Sequence, residues 1–274
     1  MISATSKQVF SQKHMIMNIA LIGYGRMGHE IETIAIKRGH TVQLIIDQDN
    51  TDDLNENNLK NIDVAIEFST PDTAFDNIVK CLENRVPVVC GTTGWLENYE
   101  NAVNTCKKYT TSFIHSTNFS IGVNILFMLN KELAKQMNRF AEYKVTIEEI
   151  HHTKKLDAPS GTAITLANGI SSNHSEYEGW CFDKELRSNR IPISSVREGM
   201  VPGTHTITWD SDIDSISLRH ESKNRRGLAL GAVVAAEYIH SKEGIFTMNL
   251  KTAKKMLTND RYDANLRIFK LVEV

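Results

Sequence analysis

The chain has 274 residues, and at about 150 residues per domain that length argues for two domains. Apolar residues make up 41% and charged residues 23%, which excludes a largely disordered chain. Thirty-one Lys and Arg against 33 Asp and Glu leave a net charge of −2, so no basic excess advertises nucleic acid. The cysteines Cys81, Cys90, Cys106 and Cys181 show neither a disulfide-scaffold density nor metal-ligand spacing, and read as free, buried thiols in a reducing compartment. Residues 1–16 are polar and patternless; a disordered extension is expected there, without the apolar core of a secretion signal. The longest apolar run, near residues 121–129, is well short of the roughly 20 residues that a membrane span needs. The expectation is a soluble cytoplasmic chain with no membrane or nucleic-acid partner.

From residue 17 the pattern becomes regular. MNIALI (17–22) is a short apolar run ending at a glycine cluster, as a buried parallel strand does. A helix is predicted over 27–38, stopped by Gly39, then a strand over 41–46 ending at Asp47. DVAIEF (63–68) is a third strand, closed by Ser69-Thr70-Pro71 and followed by a helix over 72–83. Strands at 86–90 and 111–115 enclose a helix at 96–108. Such alternation predicts βαβ units and a doubly wound parallel sheet, a Rossmann-like α/β fold. Beyond it the pattern changes. A long helix is predicted over 120–140, helices over 158–170 and 227–239, and alternating strands over 143–150, 204–209 and 215–220. This predicts a dinucleotide-binding domain over 17–122 and 229–274, interrupted by an α+β substrate and oligomerisation domain over 123–228 with a mostly antiparallel sheet.

Three groups of residues carry chemistry. Gly23-Tyr24-Gly25-Arg26-Met27-Gly28 is a G-x-G-x-x-G that follows a predicted strand and opens a predicted helix. Asp47 ends the next strand, 24 positions after Gly23. That context fits a dinucleotide fingerprint: glycines let backbone approach a pyrophosphate at a helix N-terminus, and the acid accepts ribose hydroxyls. Gly91-Thr92-Thr93-Gly94 and Ser116-Thr117-Asn118-Phe119 lie at two further strand ends, where small side chains leave room for a nicotinamide ribose. Either alone would read as ordinary turn chemistry. The run from His151 to Ala163, HHTKKLDAPSGTA, joins two histidines to a cationic turn and a Ser160-Gly161-Thr162 helix start. Histidine and lysine suit proton transfer, and the helix start suits an anion, so the block fits a small carboxylic acid as partner.

Taken with Gly25-Arg26-Met27-Gly28 and the stretch NFSIGVN at 118–124, this block resembles the 4-hydroxy-tetrahydrodipicolinate reductase (dihydrodipicolinate reductase) family from about residue 17 to the C-terminus. The signature E-x-H-H-x-x-K-x-D-A-P-S-G-T-A, headed by Glu149, is highly specific. The resemblance implies NAD(P)H-dependent reduction of a cyclic dicarboxylate, with loss of a hydroxyl, in diaminopimelate and lysine biosynthesis. It implies His151 as proton donor or acceptor, Lys155 as proton donor, and His152, Gly161 and Thr162 as substrate contacts. Gly23, Tyr24, Gly25, Arg26, Met27, Gly28, Asp47, Gly91, Thr92, Thr93, Ser116, Thr117, Asn118 and Phe119 match cofactor contacts. No metal is implied; a homotetramer through the substrate-domain sheets is. One departure stands out: Ile22 occupies the first glycine position of the family's G-x-x-G-R-M-G.

The residues themselves address cofactor choice. After Asp47 come Gln48, Asp49, Asn50, Thr51, Asp52 and Asp53, with no cation before Lys60, so NADH is expected to be preferred over NADPH. Arg26 is the cation left to meet a 2′-phosphate. Two other readings share the cofactor half. Another reductase of an amino acid or semialdehyde gives no reason for the His-His-x-x-Lys block, and a non-catalytic dinucleotide sensor gives none for His151 and Lys155.

Overall fold

The computed structural model describes residues 16–185 and 187–248. The expected extension up to residue 15 and the stretch 249–274 lie outside the described residues. Six parallel strands form the first sheet: β1 (Asn18–Ile22), β2 (Thr41–Ile46), β3 (Val64–Glu67), β4 (Val88–Cys90), β5 (Ser112–His115) and β11 (Gly244–Thr247). Between them run α1 (Arg26–Lys37), the short α2 (Glu56–Leu59), α3 (Pro71–Glu83) and α4 (Tyr99–Lys108). The order β11-β5-β4-β3-β1-β2 puts β1 between β2 and β3. The chain therefore winds outward in both directions from β1, and a crevice opens at that switch point.

Period-two alternation in β1 builds the two layers. Ile19 and Leu21 join one core with Ile31 and Ala35 of α1, while Ala20 and Ile22 join the opposite core with Ala74, Ile78 and Leu82 of α3. Helix α1 turns Gly28, Ile31 and Ala35 inward at helical spacing. Pro71 opens α3 at a position where a missing N–H costs little. The helix α7 (Arg226–Ile239) returns to this sheet beside α1, burying Ala229, Ala232, Val233 and Ala236. It approaches so closely that a Cβ on Gly231 would stand 1.7 Å from the Phe119 carbonyl oxygen.

The second sheet contains β6 (Lys144–His151), β7 (Trp180–Phe182), β8 (Ile191–Arg197), β9 (Thr204–Asp210) and β10 (Ser215–Glu221), in the order β10-β9-β6-β8-β7. It is mixed rather than mostly antiparallel: β10–β9 and β9–β6 are antiparallel, whereas β6–β8 and β8–β7 are parallel. The difference comes from β7 and β8, two strands that the sequence pattern did not announce. The helices α5 (Ile121–Met137) and α6 (Gly161–Ser171) cover one face, meeting Val145, Ile147, Ile193, Ile207 and Trp209. Helix α6 starts three residues later than expected because Ser160 is its cap, accepting from the Ala163 N–H at 3.2 Å. All four cysteines are free and buried. Among the described residues no helix is long and apolar enough to cross a membrane.

Candidate active site

Four loops are stitched to one another along the carboxyl edge of the first sheet. Each opens with an N–H bonded to the last carbonyl of a neighbouring strand: Gly23 to Ile46 at 2.9 Å, Phe68 to Ile22 at 2.8 Å, Gly91 to Glu67 at 2.9 Å, and Ser116 to Cys90 at 3.2 Å. This edge brings together Gly23, Gly25, Gly28, Asp47, Gly91, Thr93, Ser116 and Asn118. Gly23 has φ +89, and a Cβ there would lie 2.2 Å from the Phe68 carbonyl oxygen, so the turn demands glycine. Helix α1 is capped by Gly25, which has no side chain to offer, and carries no acid in its first turn. Its free N–H groups fit a pyrophosphate. Asp47 is exposed just past β2, its N–H held by the Asn50 side chain at 2.7 Å.

Some expected contacts are turned elsewhere. The Phe119 ring is buried and packs 6.0 Å from the Phe68 ring, so its side chain is withdrawn from the crevice. The Tyr24 hydroxyl donates to Glu32, Thr92 is buried, and Met27 packs against the core. Arg26 and Thr117 are exposed.

The second half of the site begins at the end of β6. Alternation carries the buried stripe through Val145 and Ile147 onto Glu149 and His151. A tight turn follows, with the Thr153 N–H on the Gly199 carbonyl at 3.2 Å and the Lys155 N–H on the His152 carbonyl at 3.0 Å. Lys155 Nζ donates to both Asp157 oxygens, at 2.6 and 2.7 Å. His152 and Thr162 are half-buried and Gly161 is exposed at the start of α6. Asn118 Nδ2 lies 3.5 Å from Thr162 Oγ1, which joins this half to the first sheet's edge. The expected substrate turn and a loop expected to hold cofactor thus meet.

Glu149, Arg197 and His205 received no role from the motif reading. Glu149 is fully buried and accepts from the Ser160 N–H at 3.0 Å and from Arg197 Nη2 at 3.0 Å. Burial alone would raise its pKa, but contacts from His205, Ser160 and Arg197 outweigh it and hold the carboxyl well below the usual carboxylate range. The signal for Glu149 was present in the sequence as an acid falling on a buried stripe. His151 goes the other way: burial first, then the neighbouring His205, pushes its pKa down to about 4. Glu149, His151 and His205 have donor atoms within 4.8 Å of one another. The Arg197 guanidinium already on the carboxylate opposes a metal cation there, and His205 Nε2 is engaged 3.2 Å from Ser160 Oγ.

Comparison with known proteins gives the chain's family and fold. Models of the dihydrodipicolinate reductase N-terminus and C-terminus match residues 17–119 and 122–250. A 4-hydroxy-tetrahydrodipicolinate reductase of Christiangramia forsetii is 53% identical over 233 residues, 85% of this chain and 96% of the relative. Another, from Rickettsia bellii, is 37% identical over 239 residues, 85% of this chain and 94% of the relative. The solved dipicolinate-bound dihydrodipicolinate reductase from Paenisporosarcina sp. TG-14 has the same fold, with a TM-score of 0.71 at 24% identity over 85% of this chain and 98% of that one. Matched in both halves and along most of its length, this chain belongs to the dihydrodipicolinate reductase family of pyridine-nucleotide-dependent oxidoreductases.

Proposed function

We propose that this chain reduces 4-hydroxy-tetrahydrodipicolinate to tetrahydrodipicolinate, a step of diaminopimelate and lysine biosynthesis, with His151 and Lys155 handling the protons. The observation that carries this reading is the Asn118–Thr162 contact, which joins the carboxyl edge of the first sheet to the start of α6, the helix that follows the histidine-lysine turn. A nicotinamide nucleotide supplies the hydride when bound. The α1 N-terminus would take its pyrophosphate and Asp47 its ribose, with residues 91–93 and 116–118 beside the nicotinamide end.

The substrate is a dianion. The first N–H groups of α6, the Thr162 hydroxyl, His152 and Lys155 supply the positive end of its binding. Loss of the substrate hydroxyl as water consumes a proton. In the free protein His151 is neutral at pH 7, because burial, the neighbouring His205 and the Lys155 and Arg197 charges keep its pKa at about 4. A bound dianion offsets those charges and returns His151 to a range where it holds a proton for transfer. Lys155, released from Asp157 by a substrate carboxylate, returns that one proton to His151 between turnovers, so a single proton is consumed per hydride. The test is nucleotide oxidation coupled to the condensation of aspartate semialdehyde with pyruvate. Steady oxidation that depends on the condensation product supports the reading, and oxidation that ignores it overturns it.

The same reading includes a preference for NADH. Asp47 and the acids after it repel a 2′-phosphate, and a bias of ~1.4 kcal/mol corresponds to about tenfold in kcat/KM. Asp47→Ala should narrow the gap between the two nucleotides, and a wild type that favours NADPH would refute this part. It also includes a homotetramer built through the second sheet. The edge strand β10 is mostly exposed, with Ile216 41% accessible, and α5 and α6 cover the opposite face of its sheet. Light scattering should give a mass near four chains, and a monomer would contradict it.

A further inference from the structure

Glu149 lies two residues before His151 on the buried stripe of β6. A buried carboxylate needs partners, and here they divide unevenly between its oxygens. Oε1 takes Arg197 Nη2 at 3.0 Å and the Ser160 N–H at 3.0 Å. Oε2 lies 3.1 Å from that same N–H, 3.5 Å from Nδ1 of His151 and 3.6 Å from Nε2 of His205. One carboxylate oxygen therefore faces two imidazoles, whose ring centroids are 5.1 Å apart. Nδ1 of His151 is buried and makes no hydrogen bond, so the Glu149 oxygen 3.5 Å away is the charge it faces. The opposite ring nitrogen, Nε2, runs alongside Gly203, where a Cβ would stand 3.0 Å away.

We propose that Glu149 is a positioning residue for His151, turning Nδ1 towards its own Oε2, leaving Nε2 for the substrate and supplying the counter-charge for the imidazolium. This rests on reading His151 as the proton donor. The same carboxylate, through the Ser160 N–H, fixes the start of α6 against that ring, so one buried charge ties the proton donor to the anion-binding turn. The other groups around the pair work against the imidazolium or are already engaged. Arg197 comes from β8 and carries positive charge, Lys155 and Asp157 of the turn are bonded to each other, and His205 of β9 has His220 of β10 beside it. His205 is the rival ring on Oε2: a proton there repels one on His151.

Two variants of the full chain test this with opposite signs. Glu149→Gln keeps the shape and an acceptor for Ser160. Histidine NMR should show His151 titrating at lower pH than in the wild type. The limb along which kcat falls with rising pH should move the same way, and KM should change far less. For each pH unit that the limb travels, kcat at neutral pH should drop about tenfold. His205→Gln removes the rival and should move the His151 titration up. A folded Glu149→Gln with wild-type titration and wild-type kcat limb overturns the proposal, even if the wild type reduces the substrate. If the wild type oxidises no nucleotide, the reductase reading fails, while the NMR titrations still report on the Glu149–His151 coupling. Should Glu149→Gln not fold, a His151 titration that stays put or moves down in His205→Gln overturns it.

Discussion

At the scale of single residues, His151 connects burial to pH. Its pKa near 4 in the folded chain compares with about 6.5 for an unperturbed histidine. Between those values the unfolded chain binds a proton that the folded chain does not. Stability is therefore full above about pH 6.5 and declines as pH falls towards 4, by up to about 3 kcal/mol. Glu149, with its carboxyl held low, keeps its contribution across that window. Urea unfolding at pH 7 and pH 5 should show the loss, and His151→Asn should flatten the slope; an unchanged slope would mean that the ring titrates as if exposed. His151, Lys155 and Thr162 were legible in the sequence because their spacing forms one contiguous block. Arg197 was not, because it comes from β8, 48 residues beyond Glu149, and pairing across a sheet leaves no local trace.

At the scale of elements, apolar runs ended by glycine or aspartate made the parallel strands readable. The helices around them showed their buried faces at helical spacing. Strand β8 was hidden because IPISSVR contains a proline and few large apolar residues, so it reads as loop until β6 and β7 pair with it. Helix α5 stops at Met137, a turn short of the expected 140, because the chain turns at Asn138. Close packing of α7 was also invisible in the pattern, although Gly231 marks the place. Gly231→Ala should lower stability by about 1–3 kcal/mol or prevent folding, because the methyl would meet the Phe119 carbonyl at 1.7 Å. Gly227→Ala, in the same helix, would sit 3.5 Å from Ser120 Oγ and should be near neutral. Equal melting temperatures for the two variants would refute this packing.

At the scale of the whole molecule, the chain leaves the first sheet after β5, builds the second, and returns through α7 and β11, which pairs with β5. The excursion sets the end of β6 and the start of α6 beside the carboxyl edge of the first sheet. The proposed chemistry needs that arrangement, since hydride and proton must reach one small ring from opposite halves. The most direct measurement is turnover against nucleotide affinity for His151→Ala, Lys155→Ala and the double variant in the coupled assay. The account predicts that kcat falls by about 10²–10⁴-fold while the NADH dissociation constant changes little. Near-normal turnover in the double variant, or a loss explained by weaker NADH binding, would contradict it.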